Sequence, residues 1–268
     1  LAGCDVVYHA AGFPEQWMKD ATVFDRVNRG GTLNLIDVAR RADIRRFVYT
    51  STIDVFGATA GQSYDETMLD PHPKGTAYER SKQRADQAVV AALADGLPAV
   101  FLHPSGLYGP GPSNSPGTND FILKLYRGQM PMLLPGGFPV VFAPDAGEGH
   151  VLAELNGRVG GRYILSEGYY DLPDLARIIL EELGIRKRVP PVMPMAVVKA
   201  VAAMGEWWAG ITGHPPLIPK GQLHFLQWGA RPQNNRARKE LGWIPTALRA
   251  GLQQTIAFLL GDPADTSR

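Results

Sequence analysis

The stretch Phe47–Lys82 restricts the fold of this 268-residue chain more than any other part of the sequence. Its first residues are mostly apolar and β-favouring, which predicts a buried strand. That strand runs directly into three consecutive hydroxyl side chains, those of Thr50, Ser51 and Thr52. Because ligands of open α/β sheets bind at the carboxyl ends of the strands, we expect these hydroxyls to lie at a ligand-binding edge.

A helix start with two ionisable side chains follows this strand. Thr76 and Glu79 have the spacing of a capping box, so we expect a helix to begin at residue 77 and to run to about residue 94. Tyr78 then lies in the first helical turn, and Lys82 lies one turn later on the same face. A neighbouring ammonium favours the phenolate, so this spacing predicts a phenol with a lowered pKa that can transfer a proton.

An ordinary surface pair is the alternative interpretation of Tyr78 and Lys82, because this spacing arises by chance in many chains. Among the nine tyrosines, however, only Tyr78 has a lysine four residues later. It also follows a strand that ends in hydroxyls. We therefore favour a catalytic pair, with Thr52 holding a substrate oxygen while Tyr78 gives or takes its proton.

The sequences YTSTIDV at Tyr49–Val55 and YERSK at Tyr78–Lys82 resemble the extended short-chain dehydrogenase/reductases, the NAD-dependent epimerase/dehydratase superfamily. The similarity is greatest to the 3β-hydroxysteroid dehydrogenase and dihydroflavonol reductase branch. The resemblance implies a Rossmann-like fold, an NAD or NADP cofactor, and Thr52, Tyr78 and Lys82 as catalytic residues. Serine is commoner than threonine at the position of Thr52, so the extra methyl group is expected to narrow the pocket.

The same resemblance implies the cofactor contacts. Asp5–Gly12 is a short apolar strand whose small terminal residues would lie against the cofactor, although a tight packing corner fits this stretch equally well. Asn28 falls in the family pattern N-x-x-G-T inside a helix predicted over residues 22–42, where the alternative is an exposed helical asparagine. The implied cofactor-binding residues are Ala10, Ala11, Gly12, Asn28, Thr50, Ser51, Tyr78, Lys82, Pro104 and Leu107.

The substrate-binding residues implied by the resemblance are Thr52, Asp54, Tyr78 and Asn119. Pro104–Gly111 is expected to form a rigid loop that lays its backbone against the nicotinamide, and Ser113–Asp120 to form a mobile substrate loop. His103 stands where relatives often carry arginine. We expect His103 and His9 to be structural.

The remaining patterns predict further elements of an α/β chain. A segment Pro144–His150 departs from the family pattern V-D-D-V-A-x-x-H at Pro144 and Gly147, which predicts an altered helix start. The other predicted elements are a strand over 99–103, a helix over 121–127, a hairpin-like excursion over 132–142, a strand over 161–165, and helices over 172–183 and 248–260.

Met195–Ile211 predicts a strongly apolar helix with Trp207 and Trp208 near its end. It is too short and too charged to span a bilayer. Attachment to a membrane surface and a lid over an apolar substrate are functional interpretations. We favour a packed helix of the substrate lobe by about two to one.

Composition narrows the partners. The formal net charge is +1, with 27 basic and 26 acidic residues and no basic block, so a nucleic-acid partner is not expected. Cys4 is the single cysteine, and no Cys/His spacing suggests a metal site. With no signal peptide and no long apolar run, we expect a cytoplasmic protein without a transmembrane segment. The family analogy suggests a homodimer through the helices over 22–42 and 77–94.

No G-x-G-x-x-G or related glycine fingerprint occurs in the sequence. The resemblance begins at the fourth strand of the family fold. We therefore expect a partial, doubly wound parallel sheet that lacks the first β-α-β-α-β half, with weak or no cofactor binding by the chain as given. Residues 1–105, joined by 140–165, would form the Rossmann remnant, and residues 106–268 a smaller, mostly helical substrate lobe.

The favoured function is NAD(P)-dependent hydride transfer at a carbinol or ketone carbon. The apolar lobe favours a lipophilic small-molecule substrate. A nucleotide-sugar epimerase or dehydratase remains an alternative, since Asp54 could supply the carboxylate that a dehydration needs. A non-catalytic, truncated relative that senses a ligand or binds a partner is a third possibility, although such proteins usually lose the Tyr or the Lys.

Overall fold

The computed structural model describes residues 1, 3–15, 17–111, 117–214, 216 and 220–261. Its strands are β1 (Val6–His9), β2 (Arg46–Thr50), β3 (Ser63–Tyr64), β4 (Ala99–Pro104), β5 (Gly106–Tyr108), β6 (Gly137–Phe142), β7 (Arg162–Leu165), β8 (Gly168–Asp171) and β9 (Arg231–Pro232). Its α-helices are α1 (Thr22–Phe24), α2 (Gly31–Arg41), α3 (Ala77–Ala94), α4 (Thr118–Arg127), α5 (Ala143–Asn156), α6 (Leu172–Glu182), α7 (Met195–Thr212), α8 (Lys220–Trp228) and α9 (Leu248–Leu260).

Four strands form a parallel sheet in the order β1-β2-β4-β7. Phe47, Val48 and Tyr49 on β2 are almost fully buried, as expected for a parallel strand covered on both faces. The predicted strand at this position is therefore confirmed.

The two faces of the sheet are covered by different helices. Phe47 and Tyr49 pack with α2 and α3, in a cluster that includes Ile36 and Val89. Val48 points to the other face and packs in a cluster with residues of α5. This alternation follows from the two-residue period of a strand. It gives the helix–sheet–helix layering of a doubly wound fold.

The helix predicted over 22–42 is continuous but not uniformly α-helical. α1 leads into a π-helical stretch, Asp25–Gly30, which continues directly into α2. Gly30 and Gly31 lie where the two helical forms meet, so the costly pair of helical glycines marks a local change of helix type.

A second sheet, β5-β6-β8, corrects two of the sequence predictions. Part of the segment expected as a rigid loop is β5, which pairs in parallel with β6. The expected hairpin over 132–142 is wrong, because β6 pairs antiparallel with β8, which follows α5 and β7 in the chain. β3 and β9 form a separate two-residue parallel pair that no sequence pattern predicted.

α5 begins regularly at Ala143, with Pro144 in its first turn. Proline is tolerated there because its missing N–H would have no intrahelical partner. The family departure at Pro144 therefore does not disturb the helix start.

The helices after β4 form two clusters. α4, α6 and α9 pack with β5 and β6 around Leu175 and Ile179. α7 packs on α8 through Val198, Ala202 and Leu223. None of the helices within the described ranges is long and apolar enough to cross a bilayer.

The parallel sheet and its covering helices confirm the predicted α/β, Rossmann-like class. The missing first half and the domain boundaries stay predictions.

Residues 113–116 of the expected mobile substrate loop lie outside the described residues, and Thr118 already begins α4.

Candidate active site

The start of α3 is fixed by the capping box that the sequence predicts. The backbone N–H of Glu79 donates to Thr76 Oγ1 at 3.1 Å, and the N–H of Thr76 donates to Glu79 Oε2 at 2.9 Å. Both interactions satisfy N–H groups that a helix start would otherwise leave unpaired. They place Tyr78 in the first turn, next to the tip of β2.

The structure brings Tyr78 and Thr52 together. The Thr52 hydroxyl lies close enough to the Tyr78 phenol to lower the pKa of that phenol. Thr52 Oγ1 in turn donates to Asp54 Oδ2 at 2.9 Å. A phenol, an alcohol and a carboxyl therefore meet at the carboxyl end of β2, where the sequence placed the site.

Lys82 is buried and its ammonium binds the strand tip directly. Its Nζ donates to the backbone oxygen of Thr50 at 2.9 Å and lies 5.4 Å from the ring centroid of Tyr49. Burial lowers the pKa of Lys82 to about 8. At neutral pH this side chain is thus still mainly charged.

The expected lowering of the Tyr78 pKa is not found. Burial raises the pKa of Tyr78, the charge of Asp54 raises it further, and the nearby Thr52 hydroxyl only partly opposes them. In the sequence, Lys82 was expected to favour the phenolate. In the structure the Lys82 ammonium donates to the Thr50 carbonyl. The charged side chain with the largest effect on the pKa of Tyr78 is the carboxylate of Asp54.

Asp54 is the second perturbed acid of the site. Burial raises its pKa to about 6, with a further contribution from the charge of Glu79. Lys74, Phe225 and Trp228 line a small cavity together with these two carboxyls. Lys74, Phe225 and Trp228 were not predicted as site residues, and no motif in the sequence marks them.

The predicted cofactor side of the site has small, exposed residues at the end of β1. Ala10, Ala11 and Gly12 are exposed. A Cβ atom on Gly12 would lie 3.4 Å from Asn28 Oδ1 and 3.9 Å from Lys82 Nζ. This cradle beside a lysine fits the nicotinamide end of a dinucleotide, because only small residues let a flat ring approach so closely.

Asn28 holds this cradle in place. Its Oδ1 accepts from the N–H of Phe13 at 2.6 Å, and its Nδ2 donates to Ser81 Oγ at 2.8 Å. It thereby ties the loop after β1 to α3. The alternative of an exposed helical asparagine is wrong, since Asn28 is buried.

Other predicted site residues are placed differently. Ser51 Oγ donates to Asp86 Oδ2 at 2.6 Å, so its hydroxyl faces the interior. The amide of Asn119 is bound on both sides by the backbone of Gly109, which makes it a brace of the loop before α4. Leu107 is half exposed on β5, and Pro104 ends β4. Their cofactor and substrate roles stay predictions.

His9 and His103, the two histidines expected to be structural, both lie in the interior. His9 bonds Thr32 Oγ1 at 2.8 Å, and burial lowers its pKa to about 4. His103 is fully buried and lies between the Thr52 carbonyl and the guanidinium of Arg162. Both are therefore neutral packed groups in this fold.

Comparison with known families decides the classification. The model of the "NAD dependent epimerase/dehydratase family" matches residues 1–165, more than half of the chain. The chain belongs to the NAD-dependent epimerase/dehydratase family. This confirms the resemblance to extended short-chain dehydrogenases, the expected enzyme class of NAD(P)-dependent oxidoreductases and epimerases, and the NAD or NADP cofactor.

Individual relatives agree with the branch that the motifs indicated. "Sterol demethylase protein B" of Methylococcus capsulatus is 29% identical over 262 residues, covering 96% of this chain and 79% of the relative. The "putative dihydroflavonol 4-reductase" of Synechocystis is 28% identical over 265 residues, covering 96% and 76%. The crystal structure of gox2253 aligns with a TM-score of 0.82 at 28% identity, over 97% of this chain and 79% of that one.

Proposed function

We propose that this protein catalyses NAD(P)-dependent hydride transfer at a secondary carbinol or ketone carbon. The observation that carries the proposal is the closeness of the Tyr78 phenol to the Thr52 hydroxyl at the tip of β2, near enough for the hydroxyl to lower the pKa of the phenol. It directs the phenol and the alcohol to one point, where a single substrate oxygen can bind both.

Each residue of this site has a role in the proposed reaction. Thr52 holds the substrate oxygen. Tyr78 gives its proton to a carbonyl oxygen during reduction, and as phenolate it takes the proton of a hydroxyl during oxidation. Lys82 keeps the end of β2 and the first turns of α3 in register through its bond to Thr50. A bound nicotinamide dinucleotide supplies the hydride acceptor or donor.

The raised pKa of Tyr78 favours the direction of reduction. A phenol that keeps its proton at neutral pH is a ready acid for a carbonyl oxygen, but a poor base for an alcohol. We therefore propose that the protein acts as a ketone reductase, because a protonated Tyr78 is ready to donate to the substrate carbonyl.

We further propose a lipophilic, polycyclic substrate. The cavity beside Asp54 has the aromatic walls Phe225 and Trp228, both from α8. The printed names of the two relatives above refer to a sterol and to a dihydroflavonol.

A dehydratase is the second candidate, supported by one specific observation. Asp54 bonds Thr52 Oγ1 and has its pKa raised to about 6, so near neutral pH it can hold or release a proton beside the substrate oxygen. An elimination needs such a group in addition to the tyrosine.

We also propose three further properties of the protein. The chain as given binds the dinucleotide weakly, because its sequence has no glycine-rich turn for the pyrophosphate. It pairs with a second copy through the helices over 22–42 and 77–94, where Val27, Leu33 and Val90 expose apolar side chains. The protein acts in the cytoplasm.

Replacement of the phenol tests the proposed reaction. In the protein as its gene encodes it, Tyr78→Phe should lower kcat for reduction of cyclic ketones by about 10²- to 10⁴-fold, because the acid is lost while the ring packing is kept. Turnover is followed by nicotinamide absorbance. Tyr126→Phe, at an exposed tyrosine on α4, is the matched control. An unchanged rate for Tyr78→Phe would refute the acid role.

A further inference from the structure

α7 presents an apolar face to the outside of the molecule. Its buried contacts are made by Val198, Ala202 and Ala209. The ten exposed residues of this fully described helix are almost all apolar or glycine, and Lys199 is the single charged residue among them. They are Ala196, Val197, Lys199, Ala200, Ala203, Met204, Trp207, Trp208, Gly210 and Ile211.

Four large side chains on this face form one stripe. Met204, Trp207, Trp208 and Ile211 are 67%, 68%, 60% and 62% exposed. Their spacing of three, four and seven residues puts them on one side of the helix. Contiguous exposed apolar surface of this kind marks an interaction site in proteins. The preferred prediction of an ordinary packed helix therefore explains only the inner face of α7.

Cations stand at both ends of the stripe. Lys199 lies near the start of α7. At the other end, Lys19 from the loop after β1 approaches within 3.2 Å of the position of a Cβ atom on Gly213. The one acid of α7, Glu206, is half-buried and lies seven residues after Lys199, on the same flank of the helix beside the stripe. An apolar stripe with the Lys19 cation at its C-terminal end and Lys199 near its start complements a surface with an apolar interior and anionic headgroups.

We propose that α7 docks in the plane of an anionic lipid surface, with its stripe inserted at the level of the headgroups. Two adjacent indoles, with ring centroids 6.4 Å apart, suit this depth because tryptophan combines an apolar body with a polar N–H. α7 packs on α8, and α8 forms the aromatic wall of the cavity beside Asp54. The docked helix would thus hold the candidate site close to lipophilic molecules.

Vesicle binding tests this docking without any need for turnover. The purified chain should sediment with vesicles of phosphatidylcholine and phosphatidylglycerol, and its tryptophan fluorescence should be quenched by brominated acyl chains. The double variant Trp207→Ala/Trp208→Ala should lower the partition coefficient by about tenfold or more. Lys19→Glu/Lys199→Glu should weaken binding to the anionic vesicles and leave binding to pure phosphatidylcholine unchanged.

Leu155→Ala is the matched control, because Leu155 is an equally exposed apolar residue on a different helix. Circular dichroism should show that all variants keep the native helix content. Two results would overturn the proposal. One is the absence of vesicle binding by the unaltered chain. The other is a concentration-dependent dimer in sedimentation velocity that the double tryptophan variant converts to monomer, since a second copy would then cover the stripe.

A separate, buried network beneath the site carries a second inference. Arg162 on β7 binds Asp86 of α3 in a two-pronged ion pair, with Nη2–Oδ1 and Nη1–Oδ2 distances of 2.6 and 3.0 Å. Arg162 Nη1 also lies 3.2 Å from His103 Nε2, and His103 Nδ1 lies 3.0 Å from the Thr52 carbonyl oxygen.

The chemistry of arginine fixes the proton on His103. A guanidinium only donates hydrogen bonds, so Nε2 of His103 must accept from Arg162. The single proton of the neutral ring is then on Nδ1, which donates to the Thr52 carbonyl. Asp86 meanwhile accepts from Ser51. The network therefore binds both Ser51 and Thr52, the two residues that follow β2.

We infer that Asp86, Arg162 and His103 are positioning residues that hold the Thr52 hydroxyl towards Tyr78. This inference rests on the proposed function. The guanidinium that pairs with Asp86 comes from β7, the strand next to β4, which carries His103.

Kinetics and NMR together test the positioning role. In the protein as its gene encodes it, Arg162→Lys should lower kcat for ketone reduction by roughly tenfold and change KM less than twofold, because lysine cannot donate to Asp86 and His103 in the same geometry. Nitrogen-15 shifts of His103 should show a protonated Nδ1 that does not titrate between about pH 5 and 8 in the unaltered protein.

The outcomes separate this inference from the proposed function. If Tyr78→Phe loses turnover while Arg162→Lys keeps the full kcat, the positioning role is wrong and the acid role stands. If Tyr78→Phe keeps full turnover, the proposed reaction is wrong. A proton on Nε2 of His103 would also overturn the network as described.

Discussion

Asp54 makes the stability of the folded chain depend on pH. Its pKa is raised to about 6 in the folded state, chiefly by burial, whereas an unfolded aspartate titrates near its ordinary value of 3.8. Between these values the folded state binds more protons than the unfolded state, so stability falls as pH rises. Above about pH 6 the carboxylate is charged in both states, and the full cost of its burial remains.

Replacement of this carboxyl by a neutral isostere removes the pH-dependent cost. We expect Asp54→Asn to have a free energy of unfolding roughly 1–2 kcal/mol higher than that of the unaltered chain at about pH 7.5, after allowance for the partial exposure of Asp54. At about pH 4, where the Asp54 carboxyl is protonated in the folded state, the two free energies should be nearly equal. Urea unfolding at the two pH values measures the difference. Asp5→Asn, at an exposed aspartate before β1, is the control. An equal difference at both pH values would show that the effect is not ionic.

At the scale of single elements, α5 contains two glycines in contrasting surroundings. Gly147 is exposed, and a Cβ atom added there meets nothing within 4 Å. A Cβ atom on Gly149 would lie 2.6 Å from Cδ1 of Leu165, which is fully buried on β7. Gly147 therefore only lowers the helix propensity of α5. Gly149 allows α5 to lie close to β7 in the sheet.

The same substitution should have opposite signs at these two positions. Gly147→Ala should raise the free energy of unfolding by about 0.5–1 kcal/mol through helix propensity. Gly149→Ala should lower it by roughly 1–3 kcal/mol, because the leucine cannot move away in a packed interior. Urea unfolding of both variants gives the comparison. Stabilisation by Gly149→Ala would mean that α5 lies farther from β7 than described.

Elements with local signals were predictable from the sequence, and elements formed by distant pairing were not. The capping residues Thr76 and Glu79 fixed the start of α3, and Gly261 in a left-handed conformation ends α9 at the predicted residue. β6 pairs with β8 across an intervening helix and strand, so nothing in its own sequence reveals its partner. α8 follows a proline-rich segment and has no clear capping signal in the sequence, so it was not predicted. The aromatic side chains that it contributes to the cavity beside Asp54 were therefore not predicted either.

The site was predictable in its residues but not in its electrostatics. The spacing of Tyr78 and Lys82 placed both side chains at the tip of β2, near Thr52. Which charge dominates at the phenol depends on where the ammonium points, and that is set by the Thr50 carbonyl. A backbone acceptor of this kind leaves no mark in a sequence pattern. Asp54, which the motif only suggested, is the stronger influence on the phenol.

At the scale of the whole molecule, the proposed weak binding of the dinucleotide depends on which parts of a dinucleotide site the sequence contains. The cradle at Gly12 and the Lys82 ammonium suit a nicotinamide ring. The sequence offers no glycine-rich strand–turn–helix, whose N–H groups and helix dipole would bind a pyrophosphate. A nicotinamide contact alone buries little surface and leaves the diphosphate charge in water.

We therefore expect the 268-residue chain to bind NAD⁺ and NADP⁺ with a Kd above about 1 mM, which corresponds to less than about 4 kcal/mol of binding free energy. Isothermal titration calorimetry measures this directly. Nicotinamide mononucleotide is the informative comparison, since it should bind about as weakly as the dinucleotide if only the cradle is engaged. Micromolar affinity for the dinucleotide, lost in Lys82→Met, would contradict the expectation and show that this chain's own residues hold the whole cofactor.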